Sequence, residues 1–258
     1  MPGPAYFAVL QYAGGGFSGW QRQRIGRTVQ GDFEAILERL TRRRVVTHAA
    51  GRTDAGVHAL AQVVSFQLPT PWTLTELLRA MRALSPPDLW VWRLGESPPG
   101  FHARKHATSR RYRYVVGCDP ASASPFRRAY EWALGAPLDA TALGEAAALL
   151  HGEHNFQALS AVGQSKPHYR CRVLEATWQA RPGTEGFIFT IEADRFLQRM
   201  VRFLVGTMVA VGCGRRPLHD VARLLRATSN QEASPPAPPQ GLYFVGARYP
   251  NLGMGIDR

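Results

Sequence analysis

The chain has 258 residues, 45% of them hydrophobic, enough for one large domain or two modest ones. No apolar run reaches the roughly eighteen residues that a membrane span needs, and Met1 to Leu10 lacks the basic-then-apolar order of a signal peptide, so a cytoplasmic protein with no membrane contact is expected. Thirty-one basic residues against nineteen acidic ones give +12, almost all of it arginine, and a polyanionic partner such as nucleic acid is the simplest reason.

In chain order, Tyr6 to Tyr12 reads as a strand, broken by Gly14-Gly15-Gly16. Val29 to Thr41 reads as a helix with Val29, Phe33, Ile36, Leu37 and Leu40 on one stripe, closed by Arg42-Arg43-Arg44. Val45 to Ala49 and Gln62 to Leu68 read as strands on either side of a glycine-bearing loop. Thr73 with Glu76 is a capping box for a helix ending before Pro86-Pro87. Leu89 to Leu94 and Ala107 to Val116 are the next strands, and Asp139 caps a helix running to Leu150. Arg170 to Gln179 and Gly186 to Ala193 make an antiparallel pair across Arg181-Pro182-Gly183. Phe196 to Val211 reads as a long apolar helix, Leu218 to Ala227 as a shorter one, Ser234 to Gln240 as a proline-rich loop, and Leu242 to Ala247 as the last strand. Strand pairs without regular β-α-β alternation favour an α/β (α+β) chain with a mixed, mainly antiparallel sheet. Two α/β halves are expected, residues 1–100 and 101–258, with the site in a cleft between them.

Ala50 to Ala59, A-G-R-T-D-A-G-V-H-A, is the most informative stretch. Gly51 and Gly56 permit a tight turn, and Arg52 offers Asp54 a positive charge that favours its ionised form. A charge-supported aspartate on a loop suits a nucleophile or general base, although T-D-A-G is also an ordinary turn. With no second carboxylate or thiolate close by, it is a poor metal site. Cys118, Cys171 and Cys213 form no C-x-x-C pair and read as free thiols.

Three further stretches carry basic and aromatic residues. In Arg110 to Tyr114, period two puts Tyr112 and Tyr114 on one face and Arg111 and Arg113 on the other. That strand either stacks a base beside cations that meet phosphates, or has a tyrosine core and a solvated arginine face. Gly19-Trp20-Gln21-Arg22-Gln23 reads as a packing anchor with a polar rim or as an RNA contact. Phe101-His102-Ala103-Arg104-Lys105-His106 is a basic knot suited to phosphate. Arg195, Arg199 and Arg202 fall on one face of the expected apolar helix, where they are solvated or reach into a cleft.

Together these motifs resemble the tRNA pseudouridine synthase A family over nearly the whole chain. The match includes all of Ala50 to Ala59, G-W-Q-R-Q at Gly19, F-H-A-R at Phe101, R-R-Y-R-Y at Arg110, F-L-x-x-M-V-R at Phe196 and G-L-Y at Gly241. The resemblance implies the pseudouridine synthase fold around a positively charged central cleft. It implies a cofactor-free, metal-free isomerase that converts uridine to pseudouridine at positions 38, 39 and 40 of the tRNA anticodon stem-loop, working as a homodimer. It makes Asp54 the nucleophile and Tyr112 the residue that stacks on the target base. Arg52 would hold the loop or fill the space left by a flipped base, Arg202 would pair with Asp54, and Arg104 of F-H-A-R would help bind substrate. One departure is Arg82-Ala83-Leu84-Ser85-Pro86, where the family commonly has N-x-x-L-P. Two other functions compete: a catalytically idle RNA-binding or RNA-folding protein on the same scaffold, and an aspartate-dependent hydrolase. The first needs the arginines but not Asp54, and the second does not need a chain of +12.

Overall fold

A computed structural model describes residues 3–162 and 168–250. Its strands are β1 (Ala5–Tyr12), β2 (His48–Ala49), β3 (His58–Gln67), β4 (Leu89–Glu96), β5 (Ser109–Gly117), β6 (Trp132–Ala133), β7 (Gly152–Asn155), β8 (Arg170–Ala180), β9 (Gly186–Ala193) and β10 (Leu242–Arg248). Its α-helices are α1 (Val29–Thr41), α2 (Leu74–Leu84), α3 (Ala140–Ala148), α4 (Met200–Gly212) and α5 (His219–Leu224). The fold is mixed α/β, as expected. Two compact units emerge, one running to Arg110 and resuming at Tyr243, the other spanning Arg111–Leu242.

In the first unit the strand order is β4-β1-β3-β10, with β2 beside β3. β1 runs antiparallel to β3 and β4, whereas β10 runs parallel to β3, setting Tyr243 opposite His58. Helices α1 and α2 bury Phe33, Leu37, Leu77 and Met81. The Phe33 ring meets Phe66 of β3 edge-on at 5.8 Å. Thr28 caps α1 and Thr73 caps α2, each accepting a backbone N–H. Arg82 keeps the end of α2 in order: its guanidinium donates to Val91 O and Trp92 O, where β4 bulges against β1. The strand expected from Val45 shrinks to His48–Ala49. Thr47 N–H and hydroxyl donate instead to the buried carboxylate of Glu34, which removes them from any ladder.

The second unit is built on β5-β9-β8-β7, with β6 parallel to β5. Helix α4 is buried nearly all round, from Met200 to Val211, which explains its uniformly apolar sequence. It starts later than the sequence suggests. Arg199 takes a left-handed conformation (φ 59°) and sits ahead of the first turn. The expected arginine face is therefore corrected: only Arg202 is helical, while Arg195 and Arg199 belong to the preceding turn. There Asp194 accepts the backbone N–H groups of Arg172 and Arg195. β6 and β7 have no counterpart in the sequence reading, being two and four residues long.

Arg27 closes the loop between β1 and α1. Ser18 N–H donates to Arg27 O, and the Arg27 guanidinium grips Asp88 bidentately at 2.6 and 2.7 Å. That hydrogen-bonded pairing holds the Asp88 carboxyl below the usual carboxylate range. With the folded value depressed, its stabilisation is present above the unfolded pKa and fades as pH falls through the folded one. Asp88→Asn is therefore expected to lower the melting temperature at pH 7, and the gap to the native protein should narrow as pH falls below the ordinary aspartate value of about 3.9. Melting curves across pH 2.5–8 check this; a gap that persists unchanged in acid contradicts it.

Candidate active site

The loop from Ala50 to Val57 joins β2 to β3 and carries Asp54 half-exposed, with Arg52 exposed beside it. Its end is a four-residue turn in which Val57 N–H donates to Asp54 O at 3.2 Å. Gly56, at the third position, has φ 79°. That is the left-handed value such a turn demands, and it strains any residue with a Cβ.

The loop is pinned along its length. Ala50 N–H donates to Val63 O. The side chain of Gln62, fully buried, clamps Gly51 from both sides: Nε2 donates to Gly51 O at 2.8 Å, and Oε1 accepts Gly51 N–H at 3.4 Å. Thr53 shares a 2.8 Å hydrogen bond with the Tyr12 hydroxyl, and Thr53 O accepts Trp20 N–H at 3.0 Å. Burial pushes the Tyr12 hydroxyl up to about 12, so it remains protonated at any working pH. Gly56 N–H donates to Phe17 O. His58 begins β3; its Nδ1 accepts Gly14 N–H at 3.0 Å, and its ring stacks on Tyr243 at 4.8 Å. Since Nδ1 accepts, the proton of the neutral ring is on Nε2.

These contacts give the G-W-Q-R-Q stretch its place. Gly19 approaches so closely that a Cβ there would be 2.8 Å from Thr53 O. Trp20 is buried and serves as a packing anchor, whereas Arg22, Gln23 and Arg24 are exposed. The basic knot also belongs to this unit. Ala103 N–H donates to Ser65 Oγ, and Ala103 O accepts the Tyr249 hydroxyl at 2.6 Å, which leaves Arg104 and Lys105 exposed. His102 stacks on His48 at 4.3 Å. Partial burial, followed by the neighbouring His48 and Lys105, lowers the pKa of His102.

In the second unit Tyr112 is 8% exposed and meets Phe196 edge-on at 4.8 Å. Tyr114 is fully buried and donates its hydroxyl to Pro238 O. The expected alternation holds, but Arg111 is not an open phosphate ligand: it bridges Glu192 at 2.8 Å and Glu175 at 3.0 Å. Arg202 donates Nε to Ala237 O at 2.7 Å and accepts Ala237 N–H through its own carbonyl. The proline-rich stretch is thereby tied to α4. Asp54, Arg52 and Arg104 thus lie in the first unit, and Tyr112 and Arg202 in the second. Sequence reading missed Tyr12, Gln62 and Ser65 as supports. The only signal was a polar group on an otherwise apolar strand.

Comparison with known proteins defines the class. The profile of a tRNA pseudouridine synthase family matches residues 146–250. A tRNA pseudouridine synthase A from Myxococcus xanthus is 41% identical, over 95% of this chain and 92% of its own. That of Pseudothermotoga lettingae is 37% identical over 95% and 99%, and that of Streptomyces griseus 39% over 93% and 86%. The chain belongs to the tRNA pseudouridine synthase A family.

Gln62→Leu removes both side-chain bonds to Gly51 and leaves that peptide unpaired. The expected loss is about 2 kcal/mol, at about 1 kcal/mol per bond, read from the urea midpoint. An unchanged midpoint contradicts the clamp.

Proposed function

We propose that the protein isomerises uridine to pseudouridine in tRNA, with Asp54 as nucleophile. The observation that carries this reading is the family's A-G-R-T-D-A-G-V-H-A sequence, complete at Ala50 to Ala59, on a loop that holds Asp54 half-exposed. The loop's own backbone and buried neighbours account for its shape. Membership of the family and a net charge of +12 support a tRNA substrate. The resemblance extends the reading to positions 38, 39 and 40 of the anticodon stem-loop, to a homodimer and to the cytoplasm.

The reaction is balanced without any co-reactant. The N1–C1′ bond of uridine breaks, the uracil turns, and a C5–C1′ bond forms. C5 gives up its hydrogen to solvent and N1 takes up a proton. A carboxylate nucleophile, adding at the base or at the ribose, divides this exchange into two easier steps through a covalent intermediate. The base must first leave the stack, at a cost of about a few kcal/mol, which aromatic stacking and phosphate contacts offset. Tyr112 is assigned the stacking on the target base, Arg52 the holding of the loop or the space of the flipped base, Arg104 a backbone phosphate and Arg202 the pairing with Asp54. Nothing in the molecule favours an idle RNA binder over the enzyme.

The reading is tested on a tRNA transcript with uridines at 38, 39 and 40 and elsewhere. Carbodiimide adducts that stop primer extension at one or more of those three positions, and nowhere else, are expected after incubation with the protein. Stops at other uridines alone contradict the positional assignment, and no stops at all contradict the isomerase. On the same substrate Tyr112→Phe should keep most of the native rate, whereas Tyr112→Ala should lose about 5- to 150-fold, since stacking contributes about 1–3 kcal/mol per base. Equal rates for the two variants contradict the stacking role.

A further inference from the structure

Arg110, the first arginine of R-R-Y-R-Y, is half-buried in the first unit, and its guanidinium reaches three backbone carbonyls. Nε and Nη2 each donate to Ala50 O at 3.2 Å. Nη1 donates to Ala107 O at 3.0 Å, and Nη2 to Arg104 O at 2.6 Å. Ala50 opens the loop that carries Asp54. Arg104 ends the F-H-A-R motif. One planar cation therefore joins the backbones of two sequence motifs that lie about fifty residues apart.

We propose that Arg110 is a positioning residue for the isomerisation: it holds the Asp54 loop and the F-H-A-R turn in one fixed register. The proposal rests on the assignment of Asp54 as nucleophile. Its support is the geometry of the loop's two ends. Downstream, Thr53 and Gly56 are tied to Tyr12, Trp20 and Phe17. Upstream, Ala50 N–H pairs with Val63 O, and it is Arg110 that meets the Ala50 carbonyl. The F-H-A-R turn is itself anchored to β3 through Ser65 and to Tyr249, so Arg110 ties the loop to a fixed body. The interaction is specific to a guanidinium. An ammonium on a flexible stem is a point charge and cannot present the same rigid fork to several carbonyls at once. Register matters because a displacement of about 1 Å at a reacting group can lower the rate by about 10²-fold.

The test compares the native protein with Arg110→Ala and Arg110→Lys. Three quantities are measured: single-turnover isomerisation of tRNA, the tRNA dissociation constant, and deuterium uptake of the tRNA-free protein. In Arg110→Ala the single-turnover rate is expected to fall by about 10²-fold, with tRNA affinity nearly unchanged because the guanidinium is occupied by carbonyls. Arg110→Lys should recover only a small part of that rate. Millimolar guanidinium should partly restore Arg110→Ala, whereas tetramethylammonium at the same ionic strength should not. Deuterium uptake should rise both at 50–54 and at 101–107, with the rest of the sheet unchanged. A loss of affinity without loss of single-turnover rate would mean that Arg110 is a phosphate contact, and it overturns the proposal. So does uptake that rises uniformly over the unit, or in neither segment. If Arg110→Ala does not fold, Arg110→Lys decides by the same readouts. If the native protein does not turn over, the isomerase reading fails, while the exchange data still decide whether Arg110 holds both segments.

Discussion

The backbone hydrogen bonds that pin Ala50 to Val57 are the constraint around which the first unit is arranged. A carboxylate on a free loop would sample many positions, and a nucleophile has to be held within a fraction of an ångström of its target. The fold holds the loop with polar groups placed where strands usually carry apolar ones. Tyr12, Gln62 and Ser65 are buried at 5%, 0% and 3% exposure on β1 and β3. Each faces a loop and finds its partner there: Thr53, Gly51 and Ala103 respectively. Burying such groups is costly unless they are paired, and here the pairing is what shapes the site.

Arginine serves two purposes in this chain. Lys105 and Lys166 are the only lysines. Several arginines act as internal braces. Arg27 grips Asp88, Arg82 caps the β4 bulge, and Arg110 collects three carbonyls. Arg111 bridges Glu175 and Glu192, and Arg127 holds Asp119 bidentately while also reaching Glu131, which Arg181 contacts from its other oxygen. A planar fork of five donors suits each of these tasks better than an ammonium does. Other basic residues, among them Arg24, Arg52, Arg104 and Lys105, are exposed.

Much of this was legible in the sequence, for physical reasons that differ from element to element. Helix α1 was found at its observed bounds, because its apolar stripe and the arginines at its end agree. The alternation of Arg110 to Tyr114 put both tyrosines on one face, and that face is buried, although periodicity alone left a core face and a base-stacking face equally open. The start of α4 was not legible. Phe196 and Leu197 continue the apolar run, but the left-handed backbone of Arg199 breaks the helix there, and nothing in the residue type announces it. Short β6 and β7 were invisible because two to four residues carry no period. In the site, Asp54 stood out through its glycine-flanked motif. Gln62 and Tyr12 did not, since a polar residue on a strand has meaning only once its loop partner is known. The pairing of Arg111 with Glu175 and Glu192 was not legible, because both carboxylates lie far along the chain.

The measurement that bears most directly on this account is release of tritium from tRNA labelled at C5 of uridine, by the native protein and by Asp54→Asn. Pseudouridine carries C1′ at C5, so every turnover must free that hydrogen. The account predicts release by the native protein and none by Asp54→Asn, with tRNA bound comparably by both. Release by Asp54→Asn at the native rate would contradict it, and so would no release by the native protein despite salt-sensitive tRNA binding.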